Sequence, residues 1–150
     1  MRSKSLGKGL TVWRHRDFKE GYFIGDFEPS VIRTSLFEVG FKKHNMGDNW
    51  PNHYQVKAME VTLLLYGRMS INGEEIGSMS ILKCDPGVAI KPKFLTDCWC
   101  VVVKLPSIPT DKKVVKNGDR IPNSGQRLKV FERWLCAAET FCRGWWKKND

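Results

Sequence analysis

Between Leu36 and Lys104 the apolar residues come in short bursts, broken by Gly, Pro, Asn or Asp. Segments 36–41, 61–66, 68–71, 74–76, 79–82, 88–91 and 98–104 are too short for stable helices. They are rich in Val, Ile, Leu, Phe or Tyr, which is the mark of strands. The strongest local signal is Asn72-Gly73 between two short alternating runs, because a type I′ hairpin turn needs positive φ at both central positions. Asp85-Pro86-Gly87 reads as a turn, and residues 42–52, with Gly47 and Pro51, read as a polar loop. Many short strands at close spacing predict an all-β fold, an antiparallel sandwich or small barrel.

The period changes near the C-terminus. Leu128, Phe131, Trp134 or Leu135, Ala138, Phe141 or Cys142 and Trp145 recur at steps of three and four, predicting an added amphipathic helix over 126–146. Its other face carries Arg127, Lys129, Arg133 and Arg143 with Glu132 and Glu139. Such a helix would dock on the barrel or on a second subunit.

Composition narrows the class. The 150 residues are 41% apolar and 27% charged, enough for one core in a soluble chain. No apolar run approaches the ~18 residues of a membrane helix, so no membrane span is expected. The basic start, 1–8, is followed by Arg14, His15, Arg16 and Asp17 rather than an apolar stretch, so a cleaved signal peptide is not expected either. Of the net charge of +9, residues 1–20 hold +4, residues 21–103 hold −1 and residues 104–150 hold +6. Basic ends around a neutral middle could draw in nucleic acid, a nucleotide or an acidic protein. Solvated, solubilising ends are the favoured reading, so a nucleic-acid partner is not preferred. The odd count of cysteines (Cys84, Cys98, Cys100, Cys136, Cys142) without framework spacing implies reduced thiols and a cytoplasmic setting. His15 and His44 read as exposed bystanders.

One stretch carries candidate chemistry. From Gly47 to Gly67 the spacing is G-x5-H-x-Q-x4-E-x6-G, with His53, Gln55 and Glu60 as its polar members. Residues two apart on a strand point the same way, so His53 and Gln55 share a face. Glu60, after a bend, can bring a carboxylate to the same point from the next strand. Imidazole and carboxylate around one centre would suit Fe, Mn, Ni, Cu or Zn.

That spacing resembles the first motif of the cupin superfamily, G-x5-H-x-H-x3,4-E-x6-G, with Gln55 in place of the second His. Residues 77–90 resemble its second motif, stretched, with Ile90 where the last metal-binding His would stand. The flanks, 21–30 and 95–112, are similar to small single-domain cupins of bacteria and phages. The resemblance covers about residues 21–116. It implies an antiparallel jelly-roll barrel at 21–116; charge, polarity and periodicity set around it a basic leader at 1–20, a connector at 117–125, the helix at 126–146 and a tail at 147–150. It also implies a homodimer.

Two of the four usual metal ligands are replaced, which removes most of a transition metal's binding energy. The preferred reading is therefore a non-catalytic protein holding a small anionic ligand, of nucleotide or sugar phosphate type. His53, Gln55 and Glu60 would supply polar groups, and Thr62, Leu64 and Tyr66 would supply wall. The alternative is a metal-dependent oxygenase, isomerase or epimerase with an altered ligand set, in which His53 and Glu60 bind the metal and Gln55 assists. A third reading is interaction with nucleic acid or protein through the basic ends.

Overall fold

The computed structural model describes residues 3–116. The connector, helix and tail expected at 117–150 lie outside the described residues. The described chain is almost entirely antiparallel β-structure. A hairpin of β1 (Ser3–Gly7) and β2 (Leu10–Trp13) leads, followed by two 3₁₀ turns, His15–Asp17 and Lys19–Gly21. Ten strands come next: β3 (Tyr22–Ile24), β4 (Glu38–His44), β5 (His53–Gln55), β6 (Met59–Tyr66), β7 (Arg68–Ile71), β8 (Glu74–Gly77), β9 (Ser80–Cys84), β10 (Pro92–Phe94), β11 (Cys98–Leu105) and β12 (Lys112–Val114). No helix among the described residues is long and apolar enough to cross a membrane.

Five strands form one layer in the order β3-β4-β11-β6-β9, all antiparallel. The facing layer holds β10-β7-β8 and the pair β12-β5. Mutual backbone bonds between His53 and Ile90, 3.0 and 2.8 Å, tie β5 to the segment that leads into β10. Leu64, Cys84, Cys98, Cys100 and Val102 of the first layer meet Met69, Ile71, Ile90 and Phe94 of the second in one continuous apolar core. Cys98 and Cys100 point inward and are buried, whereas Trp99 between them is exposed on the outer face.

The Asn72-Gly73 hairpin is present: both residues have positive φ, 54° and 99°, and Ile71 pairs with Glu74 across the turn. The basic leader carries a hairpin, and two expectations further along the chain are corrected. Gly7 and Gly9 reverse the direction of the backbone with positive φ, and Leu10–Trp13 supplies strand formers that pair back onto Ser3–Gly7. Residues 42–44 belong to β4 rather than to a loop, because their backbone completes the ladder with Cys98–Cys100. The strand expected at 88–91 is a single bridge at Ile90, and regular pairing starts at Pro92, opposite Ile71.

Register across the large sheet decides what faces the barrel interior. One inward row reads Glu38–Lys104–Glu60–Cys84. The next reads Gly40–Val102–Thr62–Leu82, and the third Lys42–Cys100–Leu64–Ser80. Gly40 leaves the room that Tyr22 fills from the neighbouring strand. A Cβ at position 40 would lie 2.7 Å from Tyr22 Cδ1, well inside contact distance.

Gly40→Ala should therefore destabilise the protein by about 1–3 kcal/mol through overpacking. Urea unfolding would measure it, and a change below about 0.5 kcal/mol, the range of an ordinary surface substitution, would show that Tyr22 is not locked there.

Candidate functional site

The two layers enclose a cavity of about 400 Å³. Its apolar floor includes Met69, Ile71, Ile90 and Phe94, and its polar wall comes from β4, β5, β6, β11 and β12. His53, Gln55, Glu60 and Thr62 all line it. Of the other residues expected in the wall, Leu64 is fully buried in the core and outside the lining. Tyr66 is 58% exposed, on the outer face, with its ring 5.8 Å from that of Trp99.

The turn between β5 and β6 sets the polar wall. Buried Asp111 accepts backbone N–H bonds from Lys57 at 2.8 and 3.0 Å and from Ala58 at 2.8 Å. A carboxylate that accepts buried backbone donors makes strong, charge-assisted bonds. This clasp holds the end of β5 against the start of β6. There Gln55 Nε2 donates to Glu60 Oε2 at 3.0 Å, and the Thr62 hydroxyl donates to Glu60 Oε1 at 3.4 Å.

His53 completes the group. Nδ1–H donates to the Pro51 carbonyl at 2.8 Å, which leaves Nε2 as the lone-pair nitrogen. Burial lowers its pKa below the ordinary imidazole range, and the nearby Lys112 and Lys104 charges push the same way against Pro51 and Glu60. The ring is thus neutral near pH 7. Because the Gln55 amide must turn its NH₂ toward Glu60, its Oε1 faces away and is buried without a hydrogen-bond partner. An unsatisfied buried carbonyl costs about 1–3 kcal/mol.

Three lysines dominate the rest of the wall. Lys104 Nζ lies 2.6 Å from Glu38 Oε1, with only 4% of the Glu38 side chain exposed. The Ser107 hydroxyl donates to the other Glu38 oxygen at 3.1 Å. Burial alone would lower the Lys104 pKa, but the Tyr22 oxygen and Glu38 outweigh it, and its charge is retained. Lys42 Nζ stands 4.1 Å from the Tyr22 ring centroid and 3.7 Å from Glu20 Oε2. Burial, helped by Lys104 and Lys112, pulls the Lys42 pKa down to about 8. Lys112 Nζ stands 4.1 Å from the Trp50 ring centroid, and burial also lowers its pKa. Burial pushes the Tyr22 phenol up to about 12, so it stays protonated.

Sequence reasoning missed most of this wall. Lys42 fell in an expected loop, Lys104 at a strand end, and Lys112 near an expected connector. His44 is no bystander: it lines the cavity, stacks on Phe94 with centroids 4.0 Å apart, and meets the Trp50 ring edge-on at 5.2 Å. Burial and the Lys42 charge lower its pKa to about 4. The thiols near the cavity are unreactive in character, since burial raises Cys84 and Cys100 to about 11.

The residues present do not fit a transition metal. Among the described residues no group of three His, Cys, Asp or Glu comes together. Both Glu60 oxygens already accept hydrogen bonds, and Ile90 stands directly opposite His53 in the ladder. Three ammonium groups on the same wall add repulsion toward any dication.

The structure resembles that of an uncharacterised conserved protein with a double-stranded β-helix domain from Klebsiella pneumoniae. The match has a TM-score of 0.51 at 15% identity, over 57% of this chain and 75% of that one. An RmlC-like cupin from Methanocaldococcus jannaschii matches with TM-score 0.45 at 16% identity, over 51% and 75%. Oxalate decarboxylase from Bacillus subtilis matches with TM-score 0.47 at 14% identity, over 54% and 24%. No family model matches the sequence, and no curated protein does. The chain thus has a double-stranded β-helix fold. A fold specifies no reaction by itself.

Asp111→Ala strands the N–H groups of Lys57 and Ala58 and should cost about 2–4 kcal/mol of stability. Denaturant unfolding would measure the loss. A cost below about 0.5 kcal/mol, again the size of an ordinary surface substitution, would show that the clasp does not hold the turn.

Proposed function

We propose that this protein binds a small organic anion, of the nucleotide or sugar phosphate class, inside the barrel without using a metal. The observation that carries this reading is the convergence of Lys42, Lys104 and Lys112 on one cavity that also presents the Tyr22 and Trp50 rings. Lys104 is committed to Glu38, but Lys112 has no ion-pair partner among the described residues, and the Glu20 that faces Lys42 is largely exposed. The lining carries four lysines and four glutamates, so the attraction for an anion is local: it comes from Lys112, which has no ion pair among the described residues, and from Lys42, whose partner Glu20 is largely exposed. The flat rings supply apolar area for the body of the ligand. A cavity of about 400 Å³ lies in the range of small-molecule sites.

The protonation of Lys42 gives this reading a pH signature. Its pKa is about 8 rather than the ordinary 10.5, so its charge is present below pH 8 and lost as the pH rises through that value. Anion affinity should fall across the same window.

Phenyl phosphate is a suitable probe, with phenol as its neutral counterpart. By calorimetry, phenyl phosphate should bind at pH 7 and phenol should not. Lys112→Gln should weaken binding by about 10-fold or more, the value of one lost charge-assisted bond. Raising the pH from 7 to 9 should weaken it further in the unsubstituted protein. Equal binding of phosphate and phenol, or no loss in Lys112→Gln, would contradict the proposal.

A further inference from the structure

Resting on the anion reading, we infer that Lys42 is a covalent capture site: its amine forms an imine with an aldehyde or ketone whose anionic group is held by Lys112. The setting of this lysine carries the inference. Its side chain is only 11% exposed, yet it lines the cavity. Pairing of β4 with β11 turns it inward beside Cys100, whereas the adjacent Lys43 lies exposed on the outer face over Trp99. Lys104 is satisfied by Glu38. Lys42 has no such partner among the described residues. Its carboxylate neighbour, Glu20, is 3.7 Å away, beyond hydrogen-bond distance, and lies largely in solvent. The Tyr22 and Trp50 rings flank it, with centroids 4.1 and 5.8 Å from Nζ. Lys112 meets the same Trp50 ring at 4.1 Å, so both amines border one indole.

A desolvated lysine beside other cations is an activated nucleophile. Burial is the main force on Lys42, with Lys104 of β11 and Lys112 of β12 acting the same way and Glu20 and Glu60 of β6 opposing it. Tyr22 and His44 beside it are neutral near pH 7. With a pKa of about 8, roughly a tenth of Lys42 is free amine at pH 7. The amine lone pair adds to the carbonyl carbon, and the carbonyl π pair moves to oxygen, which takes up a proton. Glu20 is placed to accept the proton that the nitrogen sheds and to return it as the hydroxyl departs as water. Ammonium plus carbonyl thus gives protonated imine plus water, with no change of charge and no oxidant or reductant. The cation that attracts the anion survives the reaction.

The test incubates the full chain with glycolaldehyde phosphate, or with uncharged glycolaldehyde, and traps imines with cyanoborohydride. Peptide mass spectrometry then locates the adducts, with Lys43 as internal standard. At pH 7 glycolaldehyde phosphate should modify Lys42 at least 10-fold faster than Lys43, and denaturing urea should abolish the preference. Saturating phenyl phosphate should suppress the Lys42 adduct and spare Lys43. Between pH 7 and 9 the free-amine fraction rises about 10-fold for Lys42 and about 100-fold for an ordinary lysine, so the ratio of the two adducts should fall about 10-fold.

If Lys42 is modified no faster than Lys43 in folded protein that binds phenyl phosphate, the imine inference is wrong while the anion reading stands. If both aldehydes modify Lys42 equally and phenyl phosphate gives no protection, the amine is reactive but the anion reading fails, and the inference fails with it. If phenyl phosphate does not bind and Lys42 shows no preference, both fall together.

Discussion

A lysine in the middle of a β-sheet, pointing inward, is expensive. Moving an ammonium out of water costs several kcal/mol even after relaxation, and only a close, well-satisfied counter-charge repays it. Lys104 meets that condition through Glu38, which is itself held by Ser107. The strand register then places Glu60 on the opposite flank of Lys104, so a row of alternating charge crosses three strands of the sheet. Everything distinctive about the cavity is arranged around that row. Tyr22 packs beside it, Lys42 caps Tyr22, and Gln55 reaches Glu60 from the facing layer.

The same row bears on the place where the sequence resemblance implies a metal. The backbone still brings His53, Gln55 and Glu60 together, because spacing and the Asp111 clasp dictate it. An amide donor occupies the carboxylate, an isoleucine faces the imidazole, and Lys104 and Lys112 stand next to Glu60 and Gln55 on the neighbouring strands. Such a site is a poor fit for a dication.

How much of this could be read from the chain depended on the range of the interactions. The Asn72-Gly73 hairpin is local, and its sequence announces it. The union of His53, Gln55 and Glu60 needs only one turn, so the spacing discloses it. The lysines are different. Lys42 follows a strand-like run and precedes Lys43, and nothing local says that one points in and the other out. That is decided by pairing with Cys98–Cys100, far along the chain, and by the inward face that Cys98 and Cys100 share. Lys104 and Lys112 likewise acquire meaning only through register with Glu38, Glu60 and Gln55. The β1–β2 hairpin was hidden for another reason. Its charged composition suggested a solvated leader, whereas Gly7 and Gly9 together with Leu10–Trp13 favour a turn and a strand.

The most direct test is anomalous diffraction from a crystal soaked in tungstate, a heavy analogue of phosphate that also reveals any bound transition metal. The account predicts one strong tungsten peak inside the barrel, with its oxygens within about 3 Å of the Lys42 and Lys112 ammonium groups, the distance of a charge-assisted hydrogen bond. A transition-metal peak between His53 and Glu60, or a barrel interior with no tungsten peak at saturating soak, would contradict it.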